Sequence, residues 1–417
     1  MRSAYNANVP CMLNASTSLN PGRRATIAAH AAFVPCGLVT VLLGPLLPVL
    51  ASRWKLNDTQ SGDLFFAQFL ASSVGVLLSG AVVTRRGYRL AILAGLGFMA
   101  LGLGILPLLE WPAGLAAVSA WGVGFGITIP ACNLLVAALH SEHQASALNL
   151  LNFSWSVGAV ACPFLLAPFA RSQRVDLFLL LACGTIVALM LALTFVVFPY
   201  PAAAVSSDLD RGGIRRLLLS RTAFVLGCLF FLYTGVENAA GGWIASYAKR
   251  SGSSADTLWV TTPSFFYLFL LIGRALAPVA LRRLRDENVA QLGLAVSSVG
   301  IVALLLSSSM AGILVSAAAI GLGLAPVYPI TISRMARSAG PRSPQVGSVM
   351  FALAGLGASV LPWLVGFTST QFGSLKLGLL AILIGSALML GLYLVPQLDW
   401  TDSLRAASDA EGQRETP

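Results

Sequence analysis

Glu237 sits in Tyr233-Thr-Gly235-Val-Glu237-Asn238-Ala-Ala-Gly241-Gly242-Trp243, midway along the apolar run 222–247. A bare carboxylate in hydrocarbon costs at least ~2.5 kcal/mol, so such a residue faces a watery cavity and has partners. An acid in so dry a place suits reversible protonation, and it equally suits accepting hydrogen bonds from the hydroxyls of a sugar. A protonated, hydrogen-bonded packing residue is the plainer alternative. Arg274 follows Gly273, about seven residues from the end of its own run and roughly 10 Å deep at 1.5 Å per residue. It snorkels to the surface, guards a gate or meets an anionic solute. Its depth differs from that of Glu237, which leaves a direct pair between them open.

Neutral hydrogen-bonding groups complete the candidate set: Gln68, Asn133, Asn149, Asn152, Asn238, Tyr233, Tyr267 and Tyr328, with Trp155 and Trp243 as rings for the C–H face of a sugar. Asn149 and Asn152 are three apart and share one helical face. With Asn133 they act either as ligands or as glue between helices. Asp63 and Asp176 fall at the ends of runs and read as interfacial, as do Trp54, Trp111, Trp259 and Trp400. His140, Glu142 and His143 cluster in a loop without further metal ligands, so no metal site is expected. No nucleophile–base set, phosphate loop or dinucleotide fingerprint occurs at a strand–helix junction, so neither an enzyme nor a cofactor is expected.

The elements that must hold these residues are membrane helices. Of the 417 residues 57% are hydrophobic and 10% charged, against about 25% charged in a soluble domain. Twelve apolar stretches long enough to cross about 30 Å of hydrocarbon recur, from about 27–50 to about 375–396. The fold class expected is an all-α membrane protein with twelve transmembrane helices in two pseudo-symmetric six-helix bundles. The two halves repeat. Gly122, Gly124 and Pro130 recur 199 positions later as Gly321, Gly323 and Pro329, and Gly158 and Pro163 recur as Gly357 and Pro362. Parallel repeats of this kind build transporters whose site lies between the halves near the bilayer midplane. Pro45, Pro48, Pro130, Pro326, Pro329 and the glycines Gly235, Gly241 and Gly242 are expected to loosen the four cavity-lining spans.

The net charge of +10 gives orientation rather than a nucleic-acid patch, because the cations are spread over many short loops. With the N-terminus in the cytoplasm, eighteen of the 26 Lys and Arg fall on the cytoplasmic side and seven outside, as the positive-inside rule requires. The expected organisation is a disordered cytoplasmic tail at 1–26, one bundle at 27–200, a cytoplasmic linker at 201–220 whose end 214–219 forms a short surface helix, the second bundle at 221–396 and a cytoplasmic tail at 397–417. Six cysteines without CxxC spacing read as small apolar packing residues.

The loop Gly80-Ala-Val-Val-Thr84-Arg85-Arg86-Gly87-Tyr88-Arg89 resembles the G-x-x-x-D-R-x-G-R-R/K signature of the major facilitator superfamily, with Thr84 in place of its Asp. That resemblance implies gating roles for Arg85, Arg86 and Arg89, to which Arg274 is added, and an ion pair that is absent or made elsewhere. Asn133, Ala147-Leu148-Asn149-Leu150-Leu151-Asn152-Phe153 and Gly158 are similar to the Asn-rich stretch of the fucose permease-like branch. The opening Leu43-Gly44-Pro45-Leu46-Leu47-Pro48 through Gln68-Phe69 looks like that branch too. The branch imports sugars with protons. It carries acids within its first and fourth spans where this sequence has none, and Leu134-Leu135 replace its Pro-Tyr.

The resemblance implies alternating access, with spans one, four, seven and ten lining the cavity and spans two, five, eight and eleven flanking it. The expected partners are a small polar solute such as a sugar, a proton and the lipid bilayer, in a monomer of the bacterial cytoplasmic membrane with both termini cytoplasmic. Two alternatives remain: a drug or metabolite efflux antiporter, and a non-transporting sensor or scaffold. Against the first, the antiporter signature survives only as Gly158-Ala-Val-Ala-Cys162-Pro163-Phe-Leu. Against the second stands the full set of helix-breaking Gly and Pro in both halves.

Overall fold

The computed structural model describes residues 21–199, 220–251, 257–339 and 343–394. All of the linker but Ser220, with the surface helix expected in it, most of the first tail, the last tail, Cys11 and Trp400 lie outside them. Among the described residues there is no strand, and eleven helices are long and apolar enough to cross a membrane.

The first half comprises α1 (Pro21–Trp54), α2 (Asp58–Ile105), α3 (Gly114–Leu139), α4 (Gln144–Arg171) and α5 (Val175–Leu193). The second comprises α6 (Arg221–Ser251), α7 (Thr262–Leu281), α8 (Asp286–Leu306), α9 (Met310–Leu324), α10 (Val327–Ala339), α11 (Ser343–Phe372) and α12 (Leu375–Leu394). Residues 21–26, assigned to the first tail from sequence, are the first turns of α1 instead. Pro21 at the helix start costs no backbone hydrogen bond, and Thr26 Oγ1 lies 3.0 Å from His140 Nε2 at the end of α3.

Local chemistry sets several helix ends. Asn57 and Gln60 cap α2 reciprocally: the Asn57 side chain accepts from Gln60 N at 2.8 Å and the Gln60 side chain from Asn57 N at 3.0 Å. At 48 residues α2 would run about 72 Å if straight, more than twice the hydrocarbon thickness. It is not straight, because Gly87 sits at φ 85°, ψ 169°, a region closed to side chains with a Cβ. The apolar arms 58–86 and 88–105 meet at that residue. Between α9 and α10 the helix breaks at Ala325-Pro326, where proline removes an amide donor and crowds the preceding turn. Pro45, Pro48 and Pro130 lie inside unbroken helices. The α6 helix is also unbroken, so its glycines give close approach rather than a hinge: Gly241 and Gly242 face Gly44 of α1.

The sequence repeat recurs as packing. On α1 and α4, Gly37 abuts the Trp155 backbone and Gly158 the Val34 backbone; on α6 and α11, Gly235 abuts Gly357, which in turn abuts the Phe231 backbone. Gly95 and Gly124 bring the second arm of α2 onto α3, as Gly293 and Gly323 bring α8 onto α9. Gly122 seats on the Gln68 backbone and Gly321 on that of Phe266. Lipid gives helices no hydrophobic reason to associate, so backbone contact through small residues supplies the van der Waals energy instead.

The two halves meet where α1 faces α6, α2 faces α11 and α4 faces α7. Polar links between them gather toward the end that carries Trp54 and Arg250. Arg250 pairs with Asp58, which also accepts from Ser369 of α11. Lys249 Nζ donates to Pro48 O at 3.1 Å, and Trp363 Nε1 donates to Asp63 at 2.9 Å. Thr59 N donates to Thr370 Oγ1 at 2.8 Å, and Ser264 Oγ to Val160 O at 2.9 Å.

Candidate functional site

The α6 and α7 helices bring the two ionisable groups buried in their spans together. Arg274 Nη2 lies 3.3 Å from Glu237 Oε1 and 3.5 Å from the Tyr233 hydroxyl. Glu237 and Tyr233 are four apart on α6 and share a face, and Arg274 reaches both from α7. The side chains of Glu237 and Arg274 keep 13% and 28% of their surface accessible. Neither is sealed off completely, so both keep surface that a small solute or water can reach.

Aromatic rings frame the pair. Tyr233 stacks on Tyr328 of α10 with centroids 5.0 Å apart and planes 20° from parallel. Phe230 meets Tyr328 edge-on at 5.6 Å. Tyr267 and Tyr328 both lie within electrostatic reach of Glu237 and Arg274. Trp155 of α4 meets Tyr267 edge-on at 6.3 Å, which carries the aromatic frame across to the other half. An acid, a guanidinium and the phenols close by offer donors and acceptors in number, together with flat apolar faces. That combination suits a small solute rich in hydroxyls.

The other predicted residues fall elsewhere. Asn238 Nδ2 donates to Thr234 O at 2.8 Å, one turn back on α6. Gln68 is fully buried, donating to Thr40 O at 3.0 Å and accepting from Trp121 Nε1 at 3.1 Å, so it ties α1, α2 and α3 together. Trp243 is fully buried, donates to Pro362 O at 2.8 Å and packs on Phe65. Asn133 and Asn152 each return a hydrogen bond to their own helix, at Ile129 O and Leu148 O, both at 2.9 Å, and Asn149 is exposed.

Arg274 stands beside Glu237 and apart from the loop arginines. Arg85 and Arg86 are exposed at the Gly87 turn, and Arg89 donates to Thr194 O at the end of α5. Thr84, in the place of the motif's acid, turns its hydroxyl onto Gly80 O at 2.9 Å. In the second half the equivalent corner does carry acids: Asp286 pairs with Arg337 at 2.6 Å, and Glu287 with Arg285 and Arg334.

Sequence reasoning passed over Thr234, whose Oγ1 donates to Ala354 O of α11 at 2.6 Å. It also passed over the Asp58–Arg250 link, although both residues stand at span ends on one predicted side. Asp176 pairs with Arg53 at 2.7 Å. Five cysteines are free among the described residues, and no three His, Cys, Asp or Glu there come together as a metal site. An apolar groove of about 550 Å³ lies between α6, α11 and α12, lined by Leu232, Leu361, Leu364 and Ile384. It has almost no polar surface and is remote in character from the Glu237 site.

The family model of the Major Facilitator Superfamily matches residues 30–362. The chain belongs to that superfamily. The resemblance drawn from Gly80–Arg89 therefore holds. This superfamily member is 25% identical over 399 residues to a glucose/galactose transporter of Brucella abortus, covering 89% of this chain and 94% of that protein. It is 30% identical over 160 residues to the sodium-dependent glucose transporter 1 of Rattus norvegicus, where the match spans 37% of this chain and 33% of that protein. A bacterial homolog of the human lysosomal transporter Spinster shares the fold, with TM-score 0.75, 12% identity, and coverage of 90% of this chain and 97% of that one. The E. coli fucose:proton symporter does so as well, with TM-score 0.61, 16% identity, and coverage of 91% and 100%.

Proposed function

We propose that this chain is a secondary active transporter that imports a sugar with protons by alternating access. The observation that carries the reading is the Glu237–Arg274 pair, set inside membrane spans, partly accessible and framed by Tyr233, Tyr267 and Tyr328. Hydrocarbon tolerates such groups where they face a cavity and work. Relatives named as glucose/galactose and glucose transporters support sugar as the solute, and the shared fold of a fucose:proton symporter agrees with the proton.

In this reading the two arms of α2 are separate spans and α9 with α10 make one broken span. The count is then twelve, in bundles at 27–200 and 221–396 joined by the linker 201–220. The repeated glycine contacts support a pseudo-twofold between the bundles. The termini are cytoplasmic and the protein works as a monomer in the bacterial cytoplasmic membrane. The end held by Asp58, Arg250 and Ser369 is then the outer one, closed here, and the arginine-rich corner at Gly87 faces the cytoplasm. Arg85, Arg86 and Arg89 act at that inner gate without the motif's acid. The halves rock about the central pair, with Asn238, Gln68, Trp243 and the asparagines of α3 and α4 supporting or lining the path.

The test is uptake of radiolabelled glucose, galactose and fucose into proteoliposomes, with and without an inward proton gradient. Accumulation is expected only with the gradient, and Glu237→Gln is expected to abolish it while the protein stays monodisperse. Full accumulation by that variant would remove Glu237 from coupling. Gradient-driven loss of preloaded solute would indicate the antiporter, and no flux of any solute the non-transporting scaffold.

A further inference from the structure

We propose that Glu237 sets the charge selectivity of the site: by neutralising Arg274 it confines the site to uncharged polyhydroxylated solutes, and without it the same site takes sugar acids. The inference rests on the sugar-transport reading above and adds to it the class of sugar.

The geometry leaves the guanidinium under-used. A guanidinium has five N–H donors in a fixed fork. Both polar contacts of Arg274, to Glu237 Oε1 and to the Tyr233 hydroxyl, use Nη2. Among the described residues no hydrogen bond engages its Nε or Nη1, and no second acid lies within ion-pair distance. Glu237 also has acceptor capacity to spare, since Arg274 engages its carboxylate only at Oε1 and a carboxylate has about four lone-pair sites. The surrounding Tyr233, Tyr267 and Tyr328 bring phenol hydroxyls, which add no charge near neutral pH. The site therefore presents one positive and one negative group, adjacent, each with capacity to spare.

A hydroxyl both donates and accepts, so a neutral sugar can take the spare carboxylate lone pairs and the spare N–H groups together. A solute carboxylate fits the arginine fork better still, because that pairing is bidentate. In the wild-type site it would have to sit against the Glu237 carboxylate, however, and like charges so placed in a half-dry cavity repel. Glu237 thus gives an attractive contact to the neutral sugar and a repulsive one to its acid, the two halves of a specificity device. Removing its charge while keeping its shape unmasks Arg274.

The experiment measures binding of D-glucose, D-glucuronate and the neutral D-glucuronamide to purified protein by thermal shift and by competition against radiolabelled glucose. Wild type is expected to bind glucose and glucuronamide at least about tenfold more tightly than glucuronate. In Glu237→Gln that ratio is expected to move by at least about tenfold toward glucuronate, and in the double variant with Arg274→Gln the gain is expected to vanish. A wild-type preference for glucuronate over its amide overturns the proposal without any variant. So does a folded Glu237→Gln with an unchanged ratio, or a gain that survives loss of Arg274. If wild type binds no neutral sugar at all, the sugar reading itself fails and this inference with it. That result is distinct from binding glucose without the predicted charge dependence.

Discussion

A single arginine and a single glutamate hold opposite charges 3.3 Å apart inside the spans. Each lowers the cost of holding the other there, and that gain lasts only as long as both are present. Arg274→Met should therefore destabilise the protein by about 1–3 kcal/mol, because it leaves a mostly buried carboxylate without its partner. Thermal unfolding in detergent would read this as a lower midpoint. Adding Glu237→Gln to that variant should restore part of the loss, and a double variant less stable than the single one would show that the pair is not the source. Gln68 teaches the opposite lesson at the same scale. Its type and depth suggest a ligand, yet both ends of its amide are used by Thr40 and Trp121.

At the scale of helices, glycine decides where backbones touch. Gly357 lies directly against the Phe231 backbone, and backbone cannot step aside as a flexible side chain can. Gly357→Leu should cost about 3 kcal/mol by overpacking, seen as loss of monodisperse protein or of thermal stability. Gly391, with nothing near its missing side chain, is the control: Gly391→Ala should be neutral or stabilising by up to about 1 kcal/mol. The glycine spacing and the turn at Gly87 were legible in the sequence, since both act through local backbone geometry. Which prolines break a helix was not. Pro130 and Pro326 both lie within apolar runs, but only the second interrupts its helix, and the outcome depends on what the neighbouring helices supply to the freed groups.

Across the whole molecule, the polar links between halves concentrate at one end. Arg250 reaches Asp58 while the adjacent Lys249 reaches the end of α1, so one turn of α6 grips both α1 and α2. An exposed pair of this kind is worth up to about 1 kcal/mol. That is enough to move a two-state equilibrium about fivefold. Arg250→Ala should accordingly populate the state open at that end. Spin labels at Arg86 and Leu284, on the corners of opposite halves at the other end, should draw closer in double electron–electron resonance. An unchanged distance distribution would mean that apolar packing at Gly44, Gly62 and Phe65 alone holds this end shut.

The chain by itself determined what the solvent and the backbone dictate. Long apolar runs must be helices in lipid, a repeated pattern of small residues must make repeated contacts, and a lone acid within a span must have company. Only the tertiary structure decided which company. The depths counted along α6 and α7 placed Glu237 and Arg274 at different heights, and spacing along one helix says nothing of the tilt and offset of the next. Packing brought the two together, and it turned Gln68 and Trp243 inward to hold the frame. Side chains of the same type become ligand or strut according to which neighbouring helix satisfies them first.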